Sequence, residues 1–453
     1  MSELTKKLNN PLFKQGTIFS LCFFLFQLIE FTVNDRAGYV LGADAVDCVY
    51  SIGIAFTAFG LLSYPLLKKV LTDKSLKVFN LISVLLVLIC SAFMLQSTNN
   101  SLFLFSAFSA LFFMGNLSGR VYEETAFSLN TNKHKGLIIG SSMSIAVLLQ
   151  YLVQNYLNKD LYVLCILFGL MFMIKPNTSK TEEGNQTLLE YKDELITIGI
   201  ATVLMTMLIS LIDGVVVQMH ALGTLSVSSY SRLFYALSLL IAGYIADIKN
   251  RKYLSLITVC VLFASSISTA FISSPNTYFA ATSFMYLYSG FYVIYFTITF
   301  MDIAVRLNNC SLWAGMGRVI RSLVTAFMVI PTVIIYKEFG TISLIIGSCI
   351  LSVLILLILL KPISSSLYSF DNEGHHELFI DENIRDYGDN YHLTDREIEV
   401  LGKLLTTEDG VQEIADSLFI SRRVLQRYIS SIYEKTSTKS RIGLFKSFTE
   451  YSK

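Results

Sequence analysis

The sequence predicts an all-α protein in which a polytopic bundle of transmembrane helices is followed by a small domain of four short helices. Hydrophobic residues make up 53% of the 453 residues and charged residues only 15%, whereas about 25% of an average soluble protein is charged. The apolar residues fall into runs of about eighteen or more, long enough to cross roughly 30 Å of hydrocarbon. The charges are concentrated in short loops and in the C-terminal region.

The apolar runs predict about twelve membrane spans in two sets of six. The first set is 15–35, 46–67, 78–96, 101–119, 136–157 and 161–174, and the second is 195–218, 232–248, 253–272, 277–303, 313–336 and 341–360. A polar stretch between the sets, 175–194, is predicted to be a cytoplasmic loop. We therefore assign residues 1–360 to a transmembrane domain.

Lysine and arginine residues occupy alternate loops. They are concentrated in 68–77, 133–135, 175–192 and 249–252, whereas 96–100 and 273–276 carry none. Loops rich in Lys and Arg stay in the cytoplasm. The pattern therefore predicts that both termini face the cytoplasm.

The two sets of spans share short motifs. An acid lies late in the first and in the seventh span, within Leu28-Ile29-Glu30 and Leu211-Ile212-Asp213. After the eighth span comes the run Gly243-x-x-x-Asp247-x-x-x-Arg251-Lys252. These features resemble the major facilitator superfamily, whose halves are repeats and whose loop of this pattern latches the inward gate. After the second span, Tyr64 stands where the pattern requires Asp, which argues against active transport.

Four ionisable residues inside spans are candidates for ligand binding: Glu30, Asp213, Arg318 and Arg321. Such groups are costly in hydrocarbon and usually face a cavity or each other. Arg318 and Arg321 share a helix face, and together they can hold a carboxylate or phenolate. Arg321 is predicted to lie about 12 Å inside its span, while Arg318 is expected to reach the interface. The alternatives are interhelical ion pairs for the arginines and hydrogen-bonded buried acids for Glu30 and Asp213.

Tyrosines are frequent in the tenth predicted span, at Tyr286, Tyr288, Tyr292 and Tyr295. We expect most of them to pack against neighbouring helices, with an aromatic pocket as the alternative. The sequence shows no nucleophile, metal cluster or phosphate loop, so we expect neither catalysis nor a cofactor.

The composition changes at Lys361. Residues 361–390 are rich in acids and contain Pro362, which predicts an exposed linker. Residues 391–453 form short amphipathic helices, the first opened by Thr394 with Glu397 in a capping box. Formal charge is −5 over 391–421 and +6 over 422–453.

The third helix of this domain has one apolar and one basic face. Ser421 is predicted to cap it, and its polar face carries Arg422, Arg423, Gln426, Arg427 and Ser430. An arginine-rich helix that follows another helix after a short turn is typical of a helix-turn-helix domain.

The residues of this domain resemble the LuxR-type four-helix DNA-binding domain. The matching motifs are Leu393-Thr394-x-Arg396-Glu397-x-Glu399-Val400-Leu401, Glu413-Ile414-Ala415-x-x-Leu418-x-Ile420-Ser421, Ile432-Tyr433-x-Lys435 and Ser440-Arg441. The resemblance implies that the third helix enters the major groove and that the fourth mediates dimer contacts.

The recognition helix departs from that family, which usually has T-V-K-x-H where this chain has Val424-Leu425-Gln426-Arg427-Tyr428. We therefore expect Gln426 and Arg427 to contact bases, since Gln suits adenine and Arg suits guanine. Phosphate contacts are expected from Arg422, Lys435, Lys439 and Arg441, which fix register rather than sequence.

The two parts on one chain resemble a bacterial group of LuxR regulators with twelve-span, transporter-like sensor domains. The resemblance implies a one-component regulator in the bacterial inner membrane, with double-stranded DNA, the lipid bilayer and a small molecule as partners, and a homodimer on DNA. The arginine pair and the tyrosines favour an anionic or aromatic small molecule. The alternative is a working secondary transporter with a fused regulatory domain, in which Glu30 and Asp213 carry protons.

Overall fold

The computed structural model describes residues 11–158, 161–173, 192–227, 229–248, 252–272, 274–307, 309–360, 384–406, 410–418 and 420–451. These residues are mainly helical and include no β-strand. The chain divides into two compact units, Met1–Ser364 and Ser365–Lys453. Most of the predicted cytoplasmic loop, as far as residue 191, and the predicted linker up to residue 383 lie outside the described residues.

The first unit, which we call the membrane unit, is a bundle of helices in two halves. The N-terminal half contains α1 (Pro11–Val40), α2 (Val46–Val70), α3 (Asp73–Gln96), α4 (Asn100–Ser128), α5 (Lys135–Tyr156) and α6 (Tyr162–Met173). The C-terminal half contains α7 (Lys192–Ala221), α8 (Arg232–Ala246), α9 (Lys252–Phe271), α10 (Tyr278–Arg306), the short α11 (Cys310–Trp313) and α12 (Met316–Leu360). All-helical architecture is therefore confirmed.

The predicted count of twelve spans is not confirmed. Among the described residues, eight helices are long and apolar enough to cross a membrane, and two shorter apolar helices cover Arg232–Ala246 and Cys260–Phe271. Helix α8 has only 15 residues, and at 1.5 Å per residue it falls short of roughly 30 Å of hydrocarbon. Of α6, the structure describes Tyr162–Met173. The eleventh and twelfth predicted spans lie in one helical stretch, α12.

Helix α12 is interrupted at Gly340, where φ is 67° and ψ is −161°. These dihedrals are not helical, and a positive φ is a conformation that residues with a β-carbon rarely adopt. The interruption falls between the two predicted spans 313–336 and 341–360. Two helices therefore meet at a kink at Gly340, in agreement with the two predicted segments.

The two halves of the membrane unit pack closely where α5 contacts α8. A β-carbon added to Gly136 would lie 2.5 Å from the carbonyl oxygen of Gly243, and one added to Gly140 would lie 2.8 Å from the Gly243 Cα. Since real β-carbons do not approach other atoms so closely, these glycines bring the two backbones into contact. We call this contact the glycine seam.

The second unit, which we call the C-terminal unit, contains a helix at 384–390 (α13) and four further helices. These are α14 (Asp395–Thr406), α15 (Val411–Ser417), α16 (Arg422–Lys435) and α17 (Arg441–Tyr451). Their core includes Leu401, Leu425, Ile432 and Leu444, each fully buried.

Helix α13 lies within the segment predicted to be linker. Its Ile384 and Tyr387 are only 2% and 0% exposed and belong to the core of the C-terminal unit. The Tyr387 hydroxyl lies 2.8 Å from Ser447 Oγ, and its ring packs edge-on against Phe448. The last part of the predicted linker is therefore a packed helix, because two large apolar side chains among its acids find a place in the core.

Candidate functional site

Charged side chains from four helices of the membrane unit lie near enough to act on one another electrostatically. Glu30 of α1 is influenced by Arg321 and Arg318 of α12, by Asp213 of α7 and by Arg232 of α8. Glu30, Asp213 and Arg321 are partly exposed. Because ionised groups facing lipid would be very costly, this exposure indicates that they line a cleft rather than the lipid surface. We call Glu30, Asp213, Arg232 and Arg321 the cleft cluster.

Within the described residues, no acid comes within 4.0 Å of Arg318 or Arg321. The interhelical ion pairs considered as the alternative for these arginines are therefore absent from this part of the structure. Asp213 accepts a hydrogen bond of 2.6 Å from the Tyr50 hydroxyl. The Nε of Arg321 is buried without a hydrogen-bond partner, so part of its donor capacity is unused.

Arg232 belongs to the cleft cluster, although sequence reasoning missed it. Its guanidinium donates to Gln27 Oε1 (2.8 Å) and Gln150 Oε1 (2.6 Å) of the N-terminal half and to the Tyr286 hydroxyl (3.2 Å) of the C-terminal half. It therefore connects the two halves. No sequence pattern indicates this role, since an arginine at the edge of an apolar run is indistinguishable from an ordinary interfacial cation.

Arg318 is the more buried member of the arginine pair, with 4% exposure. It does not reach outward as expected. Its guanidinium lies 4.1 Å from the ring centroid of Phe26 and 5.7 Å from that of Phe23, both on α1. It faces a narrow pocket lined by Phe19, Cys22, Phe23, Phe26, Thr57, Leu61, Ser118, Tyr122 and Arg318. We call this the Arg318 pocket.

The tyrosines Tyr286, Tyr288, Tyr292 and Tyr295 of α10 are all buried. Tyr288 and Tyr292 stack with their centroids 6.0 Å apart, and they do not line the Arg318 pocket. Tyr286 is different, because its hydroxyl accepts from Arg232 and donates to the Val227 carbonyl at 3.0 Å. Packing therefore accounts for the stacked pair, while Tyr286 takes part in the cleft cluster.

The two gate-like loops differ in their contacts. Asp247 accepts hydrogen bonds from the backbone N–H groups of Gly136 (2.7 Å) and Leu137 (2.8 Å) at the start of α5. This is a favourable position for a carboxylate, because the first N–H groups of a helix have no partner within it. At the corresponding position of the N-terminal half, Tyr64 lies within α2, and its hydroxyl donates to Glu123 at 2.8 Å in the same half.

In the C-terminal unit, α16 presents the predicted basic face to solvent. Arg422, Arg423, Gln426, Arg427 and Ser430 are all exposed, whereas Leu425 and Ile432 are fully buried. Ser421 caps the helix, since its Oγ accepts from the Val424 N–H at 3.3 Å. The predicted cap and the predicted division of faces are therefore both present.

Two of the residues expected to contact phosphate also make internal contacts. Lys435 Nζ donates to Glu397 Oε2 at 2.6 Å and to the His392 carbonyl at 3.1 Å, and Arg441 Nε donates to the Leu404 carbonyl at 2.8 Å. Both residues therefore hold the domain together. Lys439 lies exposed after the end of α16, and its expected phosphate contact stays a prediction.

Glu397 is the buried acid of this unit and accepts hydrogen bonds from several donors. Besides Lys435, they are Ser431 Oγ at 2.5 Å and the N–H and hydroxyl of Thr394 at 2.7 and 2.9 Å. Burial alone would raise the pKa of Glu397, but the hydrogen bonds lower it from 4.5 to about 2. The capping box predicted at Thr394 is thus part of a larger network around one carboxylate.

Comparison with known proteins supports the two-part organisation. Residues 391–447 match the family model of bacterial regulatory proteins of the luxR family, and no curated protein matches the chain. Among solved structures, the human organic anion transporter MFSD10 (TETRAN) is similar with a TM-score of 0.56 and 14% identity, over 78% of this chain and 100% of that chain. At this identity the similarity shows the fold alone. The chain therefore combines a C-terminal segment that matches the luxR family model with helices whose fold is similar to that of a solved transporter.

Proposed function

We propose that this protein is a membrane-bound one-component transcription regulator. A small molecule binds the membrane unit and changes the activity of the LuxR-type domain on DNA. The observation that carries the proposal is the cleft cluster, whose partly exposed charges lack ion pairs in the described residues, on the same chain as a DNA-binding domain. The distribution of Lys and Arg among the loops supports a bacterial inner-membrane protein with both termini in the cytoplasm.

Arg321 is the residue that we propose to grip the ligand. Its Nε has no partner, and the acids Glu30 and Asp213 stay near enough to act on it electrostatically. A negatively charged group on the ligand would supply the missing partner, and the two acids would position a donor group. Arg232 would couple ligand binding to a rearrangement of the two halves, because its hydrogen bonds connect them.

On the DNA side, Gln426 and Arg427 read bases in the major groove, and Ser421, Arg422, Arg423, Ser430 and Lys439 hold the backbone. Lys435 and Arg441 contribute to phosphate binding only with the donors that their internal contacts leave unused. A homodimer would place two α16 helices on an inverted repeat whose half-sites lie about one helical turn apart.

A working transporter is the second candidate, and one observation favours it. Asp247 retains the contact with the start of α5 that a gate loop requires. Against it stands Tyr64, which is bound to Glu123 within one half instead of bridging the halves. Uptake into proteoliposomes under a proton gradient, compared with empty vesicles, distinguishes the two functions: the regulator takes up nothing above the control.

The sensing role is tested with a promoter reporter in cells carrying wild-type protein or Arg321→Met. We expect induction by the cognate small molecule to disappear in the variant while the amount of protein in the membrane stays unchanged. Arg36→Met is the matched control, because Arg36 is also partly buried but donates to the Ser97 carbonyl at 3.1 Å outside the cleft cluster. Normal induction in Arg321→Met would assign this arginine a structural role.

The DNA role is tested by titrating matched and scrambled operators with the full-length protein at two salt concentrations. Gln426→Ala and Arg427→Ala should each cost about 1–3 kcal/mol on the matched operator and relax base preference. Lys439→Ala should weaken both operators alike and reduce the salt dependence, since phosphate contacts release counterions. Full discrimination in both α16 variants would show that the wrong helix face has been assigned to the groove.

A further inference from the structure

Helix α13 is the part of the C-terminal unit that the chain reaches first on leaving the membrane unit. It is the first described element after α12 ends at Leu360. A rearrangement of the membrane unit that is passed along the chain therefore acts on α13 before it acts on the other helices. With only seven residues, 384–390, α13 is too short to be a stable helix without packing contacts. Its position depends on the residues against which it packs.

Tyr387 anchors α13 to α17, the last helix of the unit. Its side chain is fully buried, and its hydroxyl lies 2.8 Å from Ser447 Oγ. Its ring packs edge-on against the rings of Phe448 and Tyr451, with centroids 5.5 and 5.3 Å apart. Ile384, three positions earlier, is 2% exposed and belongs to the same core. Two apolar side chains and one side-chain hydrogen bond therefore hold α13 against the unit.

The other end of α13 is connected to α16, the helix proposed to read bases. The Leu393 N–H donates to the Gly388 carbonyl at 2.8 Å and closes a turn after α13. Lys435 Nζ, at the end of α16, donates to the His392 carbonyl within this turn at 3.1 Å. A β-carbon added to Gly388 would lie 2.5 Å from the Ile398 side chain of α14, so α13 ends in direct contact with α14. Displacement of α13 would therefore disturb α14 and a contact that holds α16.

Helix α13 lies outside the part of the chain that matches the luxR family model. The match covers residues 391–447, whereas α13 precedes this segment and Tyr451, one of its packing partners, follows it. The family match therefore gives α13 no role in DNA binding. Its place between the membrane unit and the DNA-binding helices, together with its contacts to α14 and α17, points to a role in communication between the two units.

We infer that α13 couples the membrane unit to DNA binding. When α13 is docked on α17, the C-terminal unit is held in the form that binds an operator tightly, and displacement of α13 weakens that binding. The inference rests on the proposed function and adds the route of its regulation. The small number of contacts that hold α13 suits this role, because a ligand shifts an equilibrium only by the difference between its affinities for the two states.

The first test measures whether docking of α13 affects DNA binding. Full-length protein in lipid nanodiscs is titrated with an operator selected from random duplex DNA with the same protein. Tyr387→Ala should weaken binding roughly tenfold, whereas Tyr387→Phe and Ser447→Ala, which each remove one hydrogen bond, should weaken it roughly 2- to 3-fold. The double variant should match either single variant, because both substitutions remove the same bond. Arg385→Ala, at an exposed position of α13, should bind as the wild type does.

The two hydrogen-bond variants keep this test valid if Tyr387→Ala fails to fold, since they leave the buried ring or the whole of α13 in place. Wild-type operator affinity in folded Tyr387→Ala, or in both Tyr387→Phe and Ser447→Ala, would overturn the inference.

The second test measures whether the membrane unit acts through α13. A protease site inserted after residue 372, between α12 and α13, allows operator affinity to be measured in one sample before and after the chain is cut. We expect the cut to change affinity by about fivefold or more, the lower end of typical coupling between sites. The amide hydrogens of α13 should exchange more slowly in whichever form binds the operator more tightly, because slow exchange reports a docked helix. Unchanged affinity, or a change without this shift in exchange, would contradict the coupling.

The reporter test of Arg321→Met separates this inference from the proposed function. If operator affinity depends on Tyr387 and on the cut, while Arg321→Met is induced normally, the coupling stands and the sensing role of Arg321 is wrong. If induction requires Arg321, while operator affinity responds neither to the α13 variants nor to the cut, the sensing role stands and α13 is not the route.

Discussion

Two buried charges in this molecule have similar exposure and opposite surroundings. Glu397 in the C-terminal unit is 5% exposed and accepts hydrogen bonds from Lys435, Ser431 and Thr394. Arg318 in the membrane unit is 4% exposed, and no hydrogen bond or ion pair engages it within the described residues. Glu397 and Arg318 are therefore equally buried, but only Glu397 has hydrogen-bond partners.

The difference distinguishes a structural charge from a functional one. A buried charge with a full set of partners holds elements of the fold together, and removing a partner is costly. A buried charge without hydrogen-bond partners costs stability, and a partner from outside the chain would offset that cost. Each of the two charges thus predicts its own response to substitution, and the two responses have opposite signs.

The largest effect is expected from shortening the C-terminal unit, because α13 contributes two side chains to its core. Segment 391–453 should be less stable than segment 384–453 by about 3 kcal/mol or more, because it loses the burial of Ile384 and Tyr387. Urea denaturation of the two segments, followed by circular dichroism, measures the difference. Equal midpoints would mean that α13 adds nothing to the core and that the predicted linker extends to residue 390.

Replacing Glu397 comes next in size. Glu397→Gln should lower the free energy of unfolding of segment 384–453 by about 1–3 kcal/mol, since charge-assisted hydrogen bonds to Lys435 are replaced by weaker ones. Glu399→Gln is the control, because Glu399 is exposed and pairs only with its neighbour Arg396. If both variants are equally stable, the network around Glu397 contributes no more than a surface ion pair.

Lowering the pH should also destabilise the C-terminal unit, because it protonates Glu397. Because the pKa of Glu397 is lowered from 4.5 to about 2 in the folded unit, folding favours its ionised form. The resulting stabilisation is fully present above pH of about 5 and is lost as pH falls from there towards about 2. Denaturation midpoints measured across this range should fall steeply for the wild type and less steeply for Glu397→Gln. Parallel curves would exclude Glu397 as the group responsible.

The smallest change in stability, and the one of opposite sign, is expected for Arg318. In ligand-free protein, Arg318→Met should leave the melting temperature unchanged or raise it slightly, by up to about 1 kcal/mol of stability, because an unmatched buried charge is replaced by an apolar chain that fills similar space. Thermal unfolding of the detergent-solubilised protein measures this. A decrease as large as that of Glu397→Gln would show that the chain itself satisfies Arg318.

Local rules predicted the C-terminal unit well. The capping box of Thr394 with Glu397 and the cap at Ser421 depend on residues three positions apart, and the exposed face of α16 follows from helical periodicity. The core role of Tyr387 could not be predicted in this way, because its partner Ser447 lies sixty residues away and acids dominate the composition around it.

In the membrane unit, predictions were wrong or missing where the position of a side chain depends on residues that are distant in sequence. Depth counted along the helix suggested that Arg318 reaches the interface and Arg321 is the deeper group, but the rings of Phe23 and Phe26 on α1 hold Arg318 inside. Arg232 was missed because Gln27 and Gln150, which bind it, are remote in sequence. Hydropathy found most spans, and it placed the boundary between 313–336 and 341–360 where the helix breaks at Gly340.

The glycine seam between α5 and α8 has a consequence for the energetics of the cell. Where Gly136 and Gly140 meet Gly243, the backbones are in direct contact, and no file of water molecules fits between the two helices at that level. Protons move rapidly along such files, so a bundle that admitted one would dissipate the potential across the membrane. Any side chain larger than hydrogen at Gly243 would force the two helices apart and open space between them at this level.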